Sequence, residues 1–317
     1  MAGFANVLGR ADLTDVQVPD QVINEVLQEA PSQSALLSRA RTIRMSSKKT
    51  KQPVLASLPD AYWVDGDTGL KQTTNADWKN VVMTAEELAV IVPIPDAVVA
   101  DSGLPLWEMV KPLLVEAIGK KVDSAGIFGI DKPASWASAL VPGAIAAGNV
   151  VEEGTGADIG VDVAELAGKV GDDGFSVNGF ASRPGLQWKL VGLRNAQGQS
   201  IYTPGQGLAG SQPSGLYGYP LNEVTNGAWA SDAATLVAAD WTKVIVGVRQ
   251  DVTFDLFSEG VISDSDGKVI LNLMQQDSKA LRVVFRVGFQ VANPLTRLNG
   301  VEATRYPAGV LVPDTTP

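Results

Sequence analysis

Leu106, Met109, Val110, Leu113, Leu114, Ala117, Ile118, Val122 and Ala125 keep an i, i+3, i+4 spacing, which predicts a long amphipathic helix over 104–128. At 1.5 Å per residue this is a rod of roughly 37 Å. Pro112 lies inside it and should kink it or shift its start. A shorter helix is predicted in "PDQVINEVLQEA", where Val22, Ile23, Val26 and Leu27 share one face. Pro19 suits its first turn and Pro31 stops it. "SQSALLSRA" predicts one more short helical stretch. So little apolar surface cannot fold alone, so this N-terminal part must dock on something.

Strand patterns follow. "NVVMTAEELAVIVPIP" reads as one or two strands ending at Pro93 and Pro95. Residues 241–262 hold one or two more, and Asp266-Gly267 marks a hairpin turn. In "KALRVVFRVGFQVAN", Val283, Phe285, Val287, Phe289 and Val291 alternate with a face carrying Arg286 and Gln290. Residues 136–240 are rich in Gly, Ala and Asp. They predict helices at "DVAELAGKVGDD" and "PGLQWKLVGLRN", a strand at "GFSVNGFAS", and a glycine-rich loop over 204–215. Residues 299–317 read as a proline-containing tail. The class is α+β.

One stretch fits neither period. "AYWVDGDTGLKQTTNADWKN" opens with Tyr62, Trp63 and Val64, runs polar, and ends on an isolated Trp78. Nothing within it could give those tryptophans a core.

Composition narrows the chemistry. The chain of 317 residues has no Cys and no His. That removes disulfides, thiolate nucleophiles, the commonest general base and the commonest metal ligand. No cofactor or metal site is expected. The formal charge of −10 disfavours a general phosphate grip. The exception is Arg39, Arg41, Arg44, Lys48, Lys49 and Lys51, six basic residues in thirteen. They read as a solvated surface or loop base, or as a contact for an acidic neighbour or nucleic acid. No apolar run reaches ~18 residues, the minimum for a membrane span. The N-terminus lacks a signal-peptide pattern, so a soluble protein made in a reducing cytoplasm is expected.

The chemical motifs are weak. Gly205, Gly207 and Gly210 match G-x-G-x-x-G but lead into "SQPSG", which cannot start a helix, so a loop is expected. Ser46 and Lys49 have the spacing of Ser/Lys hydrolases but sit among basic residues. Asp264 and Asp266 lack the later ligands of a calcium loop. Glu86-Glu87 and Glu152-Glu153 are sequence neighbours that point apart on a strand. What stands out is mechanical: a polar ribbon with tryptophans, an arm that must dock, a long rod and a loop-rich acidic unit. A chain that cannot bury its extensions reads as an assembly subunit.

Three stretches in order resemble the HK97-like major capsid proteins of tailed bacteriophages. "AYWVDGDTGLKQTTNADWKNVVMTAEELAVIVPIPDAVVADS" is similar to the family's extended loop and strand pair. "LPLWEMVKPLLVEAIGKKVDSAGIFG" resembles its spine helix. "FSVNGFASRPGLQWKLVGLRNAQGQSIY", "GLYGYPLNEV", "VGVRQDVTFDLF" and "FRVGFQVANP" resemble its axial core and return strands. The resemblance spans roughly residues 15 to 300. It implies an N-terminal arm (1–45), an extended β-hairpin loop (46–80) and a peripheral domain with the spine helix (81–135). It further implies an axial α/β domain (136–249), return strands (250–300) and a C-terminal tail (301–317).

The resemblance implies a shell subunit, not an enzyme, that self-associates through hexamers and pentamers into an icosahedral head around double-stranded DNA. Trp63, Asp65, Lys71, Trp78 and Lys79 are then interface candidates of the extended loop, and Val22, Ile23, Val26 and Leu27 of the arm. The basic patch would carry any weak, non-specific DNA contact. Because the arm begins almost at once, a separate scaffolding protein is expected, beside a portal and possibly a decoration protein. Some relatives cross-link Lys to Asn through a buried Glu. Lys71 and Lys79 lack such a partner pattern, Asn272 being the nearest amide, so no covalent cross-linking is expected. The implied location is the virion capsid, assembled in the host cytoplasm. The alternatives are an encapsulin-like compartment, and a carboxylate-dependent hydrolase using Asp172 or Asp173.

Overall fold

The computed structural model describes residues 34–64, 71, 73–102, 105–193 and 215–314. In chain order these form α1 (Ala35–Arg39), β1 (Arg41–Arg44), β2 (Lys49–Leu55), β3 (Trp78–Thr84), β4 (Glu86–Pro95), α2 (Asp96–Asp101) and α3 (Leu106–Asp123). A π-helical turn (Ser124–Phe128) extends α3. Then come α4 (Leu140–Ala147), β5 (Val150–Glu152), α5 (Ile159–Asp172), β6 (Gly179–Ser182) and α6 (Leu186–Gly192). The last elements are β7 (Gly215–Leu216), β8 (Tyr219–Glu223), β9 (Leu236–Ala239), β10 (Val244–Phe257), β11 (Val261–Ser263), β12 (Val269–Asn272), β13 (Ser278–Val291) and β14 (Ala308–Val312). Four of the strands make a sheet in the order β1-β10-β13-β4.

The chain divides into two compact units. Among described residues, the first draws on Glu87–Ile118 and Gln250–Arg286. The hairpin β11–β12 packs Ile262, Leu271 and Leu273 on Ala280. Its turn forms at the predicted Asp266-Gly267: Gly267 has φ +79°, and the Asp264 carboxylate accepts N–H bonds from Asp266 and Lys268. Asp264 is thereby committed to the turn, as the lack of later calcium ligands implies. Arg286 forks onto Glu87.

The second unit draws on Gln33–Glu86, Gly119–Arg249 and Val287–Pro317. Its six-stranded sheet runs β5-β14-β9-β6-β8-β7. β14 pairs parallel with β5 and antiparallel with β9. Val163, Leu166 and Val170 of α5, Leu186 and Leu190 of α6, and Phe180, Leu236 and Leu311 from the strands form one core. In place of the tail expected over 299–317, Ala308–Val312 forms an interior strand of this sheet, with all but Val312 buried. A short fully buried strand shows no alternation, which is why the pattern concealed it.

The long helix begins at Leu106 and passes through Pro112 without ending there. Leu114, Ile118, Val122 and Ala125 are buried as the spacing predicts, whereas Leu113 and Ala117 are exposed. Within one chain, this helix covers a narrower stripe than its sequence offers. All five alternating residues Val283 to Val291 are buried. The proposed helix at 19–30, with Val22, Ile23, Val26 and Leu27, lies outside the described residues, as does the loop with Gly205, Gly207 and Gly210.

Tyr306 is buried, its hydroxyl donating to the Ala139 carbonyl at 3.4 Å. A Cβ added at Gly143 would run into its ring. Gly143→Ala should therefore lower subunit stability by about 1–3 kcal/mol. Chemical denaturation of the soluble chain measures this, and an unchanged midpoint would mean the ring has room to move.

Candidate assembly surfaces

β2 and β3 pair antiparallel from Lys49 opposite Thr84 to Leu55 opposite Trp78. Lys49, Lys51, Pro53, Asn80 and Val82 share one exposed face of this ribbon, while Thr50, Gln52, Val54 and Val81 on the other face are half-buried. Its base packs where Met83 meets Met45 and Ile245, and Val54 nearer the far end joins the same cluster. Beyond β2 the chain carries Trp63, which is 100% exposed, and Trp78 opens β3 at 66% exposed. Of the other loop candidates, Lys71 is exposed and Asp65 lies outside the described residues.

Lys79 already has a partner in its own chain. Its Nζ pairs with Glu302 at 2.8 Å. Nearby, Arg297 binds Asp60 at 2.9 Å and the Pro59 carbonyl at 2.6 Å, and the Leu295 N–H donates to the Leu55 carbonyl at 3.1 Å. These contacts fasten the Leu55–Trp78 end of the ribbon, opposite its Lys49–Thr84 base, to the segment after β13. Each exposed ion pair contributes only ~0–1 kcal/mol, so together they set direction more than stability. Sequence reasoning missed them because the partners lie more than two hundred residues apart.

A second fastening sits at the root of the N-terminal segment. The buried Asp123 carboxylate accepts the Ser34 hydroxyl at 2.5 Å, the Ala35 and Leu36 N–H groups at 2.9 Å each, and Asn226 Nδ2 at 2.6 Å. Ser34 Oγ in turn accepts the Leu37 N–H, so α1 is capped twice. Leu36 packs so close to Gly126 that an added Cβ there would lie 2.6 Å from its Cδ2. Burial pushes the Asp123 carboxyl above its ordinary value, and the bonds from Ser34, Leu36, Asn226 and Ala35 pull against that. The one sequence signal was a carboxylate inside the apolar stretch of the long helix.

The basic patch separates by role. Arg41 and Arg44 flank β1, a strand parallel to β10, so the segment is more than a loop base. Lys48 pairs with Glu86 at 3.5 Å. Lys49 and Lys51 lie exposed on the ribbon, and Arg39 and Arg41 share a hollow with Trp241.

The weak catalytic readings meet structural roles instead. The Asp173 carboxylate is buried and accepts from Asn149, Asn299 and the Tyr306 N–H. Glu86 accepts from Ser135 while Glu87 takes Arg286, so the adjacent acids do serve different partners. Among the described residues no group of His, Cys, Asp or Glu could hold a metal ion. No helix among them is long and apolar enough to cross a membrane. Uncovered apolar side chains not singled out earlier are Trp188, 74% exposed on α6, and Leu256, Val261, Val269 and Met274 around the β11–β12 hairpin.

A sequence model of the phage capsid family matches residues 14–296. The major capsid protein of Staphylococcus phage 80alpha is 26% identical over 286 residues, covering 88% of this chain and 83% of that protein. A solved structure from Microbacterium phage Oxtober96 is 39% identical with a TM-score of 0.83, covering 98% of this chain and 100% of the other. One from Mycobacterium phage Cain is 33% identical with a TM-score of 0.82 and the same coverage.

Asp123→Ala would strand a hydroxyl, two backbone N–H groups and an amide in a dry site. The expected loss is about 3 kcal/mol or more. Urea unfolding of the soluble chain reads it, and a loss below about 1 kcal/mol would show that the arm's root is held by packing alone.

Proposed function

The chain belongs to the phage capsid family and is a phage major capsid protein of HK97-like fold, and from that premise we propose how it builds a shell. Its copies join through hexamers and pentamers into a closed icosahedral head around double-stranded DNA. The observation that carries this reading is the ribbon: a hairpin held at both ends, beyond whose β2 strand Trp63 stands 100% exposed. Aromatic side chains of this kind are the usual anchors of protein interfaces.

In this reading residues 1–45 are the arm, 46–80 the extended loop, 81–135 and the region near 250–290 the peripheral domain, and 136–249 the axial domain, to which the chain end returns. Trp63 and Trp78 seat on a neighbouring subunit. Lys79 works differently from the other loop candidates, since it fastens the root of its own loop to Glu302. The shell is closed by non-covalent contacts.

The protein is structural and carries out no catalysis. Asp173 supports this, because its carboxylate is buried and taken up by three donors. Scaffolding, portal and decoration proteins would be separate chains. Assembly takes place in the host cytoplasm, and the net charge of −10 keeps DNA contact weak, so that the genome can be packed and released.

Trp63→Ala and Trp78→Ala should each cut particle yield while leaving the soluble subunit's stability within about 0.5 kcal/mol. Electron microscopy counts the particles and thermal unfolding checks the fold. Equal losses in both would mean the ribbon packs on its own chain.

A further inference from the structure

A cavity of about 150 Å³ lies at the Leu55–Trp78 end of the ribbon. The ribbon contributes Val54 and Val81 to its lining. The end of β13 and the segment after it contribute Val291 and Leu295. Lys79 and Glu302, paired at 2.8 Å, line it too, and both are exposed, so they mark its solvent side. Arg305 is the opposite case, a lining residue only 3% exposed.

The hydrogen bonds of this buried cation all go to neutral oxygens. Arg305 Nε donates to Asn293 Oδ1 at 3.0 Å, Nη1 to the Asn299 carbonyl at 2.8 Å and Nη2 to the Asn293 carbonyl at 3.4 Å. A guanidinium carries five N–H groups, so two find no acceptor among the described residues. The two carboxylates that favour its charge are bonded elsewhere. Glu302 holds Lys79, and Asp173 accepts from Asn149, Asn299 and the Tyr306 N–H. Burial outweighs both and pulls Arg305 below its ordinary value. Such a group gains from an anion that takes its remaining N–H groups, and its planar fork suits a carboxylate.

The lining selects the anion. Its charged side chains are Lys79 and Arg305 against Glu302, a net of +1 (2 − 1), which one negative charge balances. The three valines and Leu295 suit an alkyl body. At ~30 Å³ for each non-hydrogen atom, the share of a water molecule, the cavity holds roughly five such atoms. We propose that this cavity is a binding site for a short aliphatic monocarboxylate of the size of propionate, its carboxylate on Arg305 and its alkyl group against Val54, Val81 and Leu295. A bound acid joins the ribbon to the segment after β13 and adds to the fastening made by Lys79 and Glu302. The proposal goes beyond the shell reading and does not depend on it.

Sodium propionate is titrated into the soluble full-length chain. Saturation-transfer NMR on the propionate methyl group reads binding, and the methyl signals of Val54, Val81 and Leu295 locate it. Saturable binding in the millimolar range is expected, with shifts at those three residues, and propionamide should give less than about a tenth of the transfer. A Cβ added at Gly300, another lining residue, meets nothing within 4 Å, so Gly300→Leu puts a side chain at the cavity without a clash. It should weaken binding at least about tenfold, as should Arg305→Lys, which keeps the charge and loses the fork. Thermal unfolding checks that each variant folds, and Gly300→Leu decides alone if Arg305→Lys does not. The absence of saturable binding would overturn the proposal, as would equal binding of propionamide or affinity unchanged in the folded variants. Inorganic phosphate displacing propionate with equal affinity would overturn the carboxylate assignment.

Discussion

A two-stranded ribbon has two faces and two edges, and strands of seven residues cannot cover themselves. An isolated hairpin of this kind is marginal in water. Here β2 and β3 keep their register because one end is packed on Met45, Met83 and Ile245 and the other is fastened by Lys79–Glu302 and Arg297–Asp60. Folding of one chain leaves Trp63 fully exposed, and under the proposed shell reading that unburied surface is what drives association.

Asp123 plays the matching role at the other extension. Its four donors hold Ser34, Ala35, Leu36 and Asn226 against the end of the long helix. The N-terminal segment therefore starts from a defined point, as the ribbon does. Each extension leaves the described fold from a fixed point, and the ribbon's loop carries Trp63 fully exposed. An assembly subunit needs that combination: a free root would cost entropy on binding, and a covered tip would have nothing to bind with.

Much of this was legible in the sequence. The alternation from Val283 to Val291 gave a buried strand, and Asp266-Gly267 gave its neighbouring hairpin, because both signals are local. Trp63 and Trp78 could be read as uncovered for the same reason: no apolar residue lay within reach. The exposure of Leu113 and Ala117 was not legible, since helical spacing records what could be buried and not what one chain supplies. Nor were β14 as an interior strand or the Lys79–Glu302 pair. The first lacks alternation, and the second joins residues that only the tertiary fold brings together. The split of the basic patch into a Lys48 paired with Glu86 and an Arg39–Arg41 hollow beside Trp241 likewise depends on where β1 and Trp241 fall.

The account turns on Trp63 being covered by a second subunit. Hydroxyl-radical footprinting of soluble subunits and of assembled particles, read at Trp63 by mass spectrometry, tests this directly. The account predicts heavy oxidation in the soluble chain and strong protection in particles. Equal oxidation in the two states would contradict it.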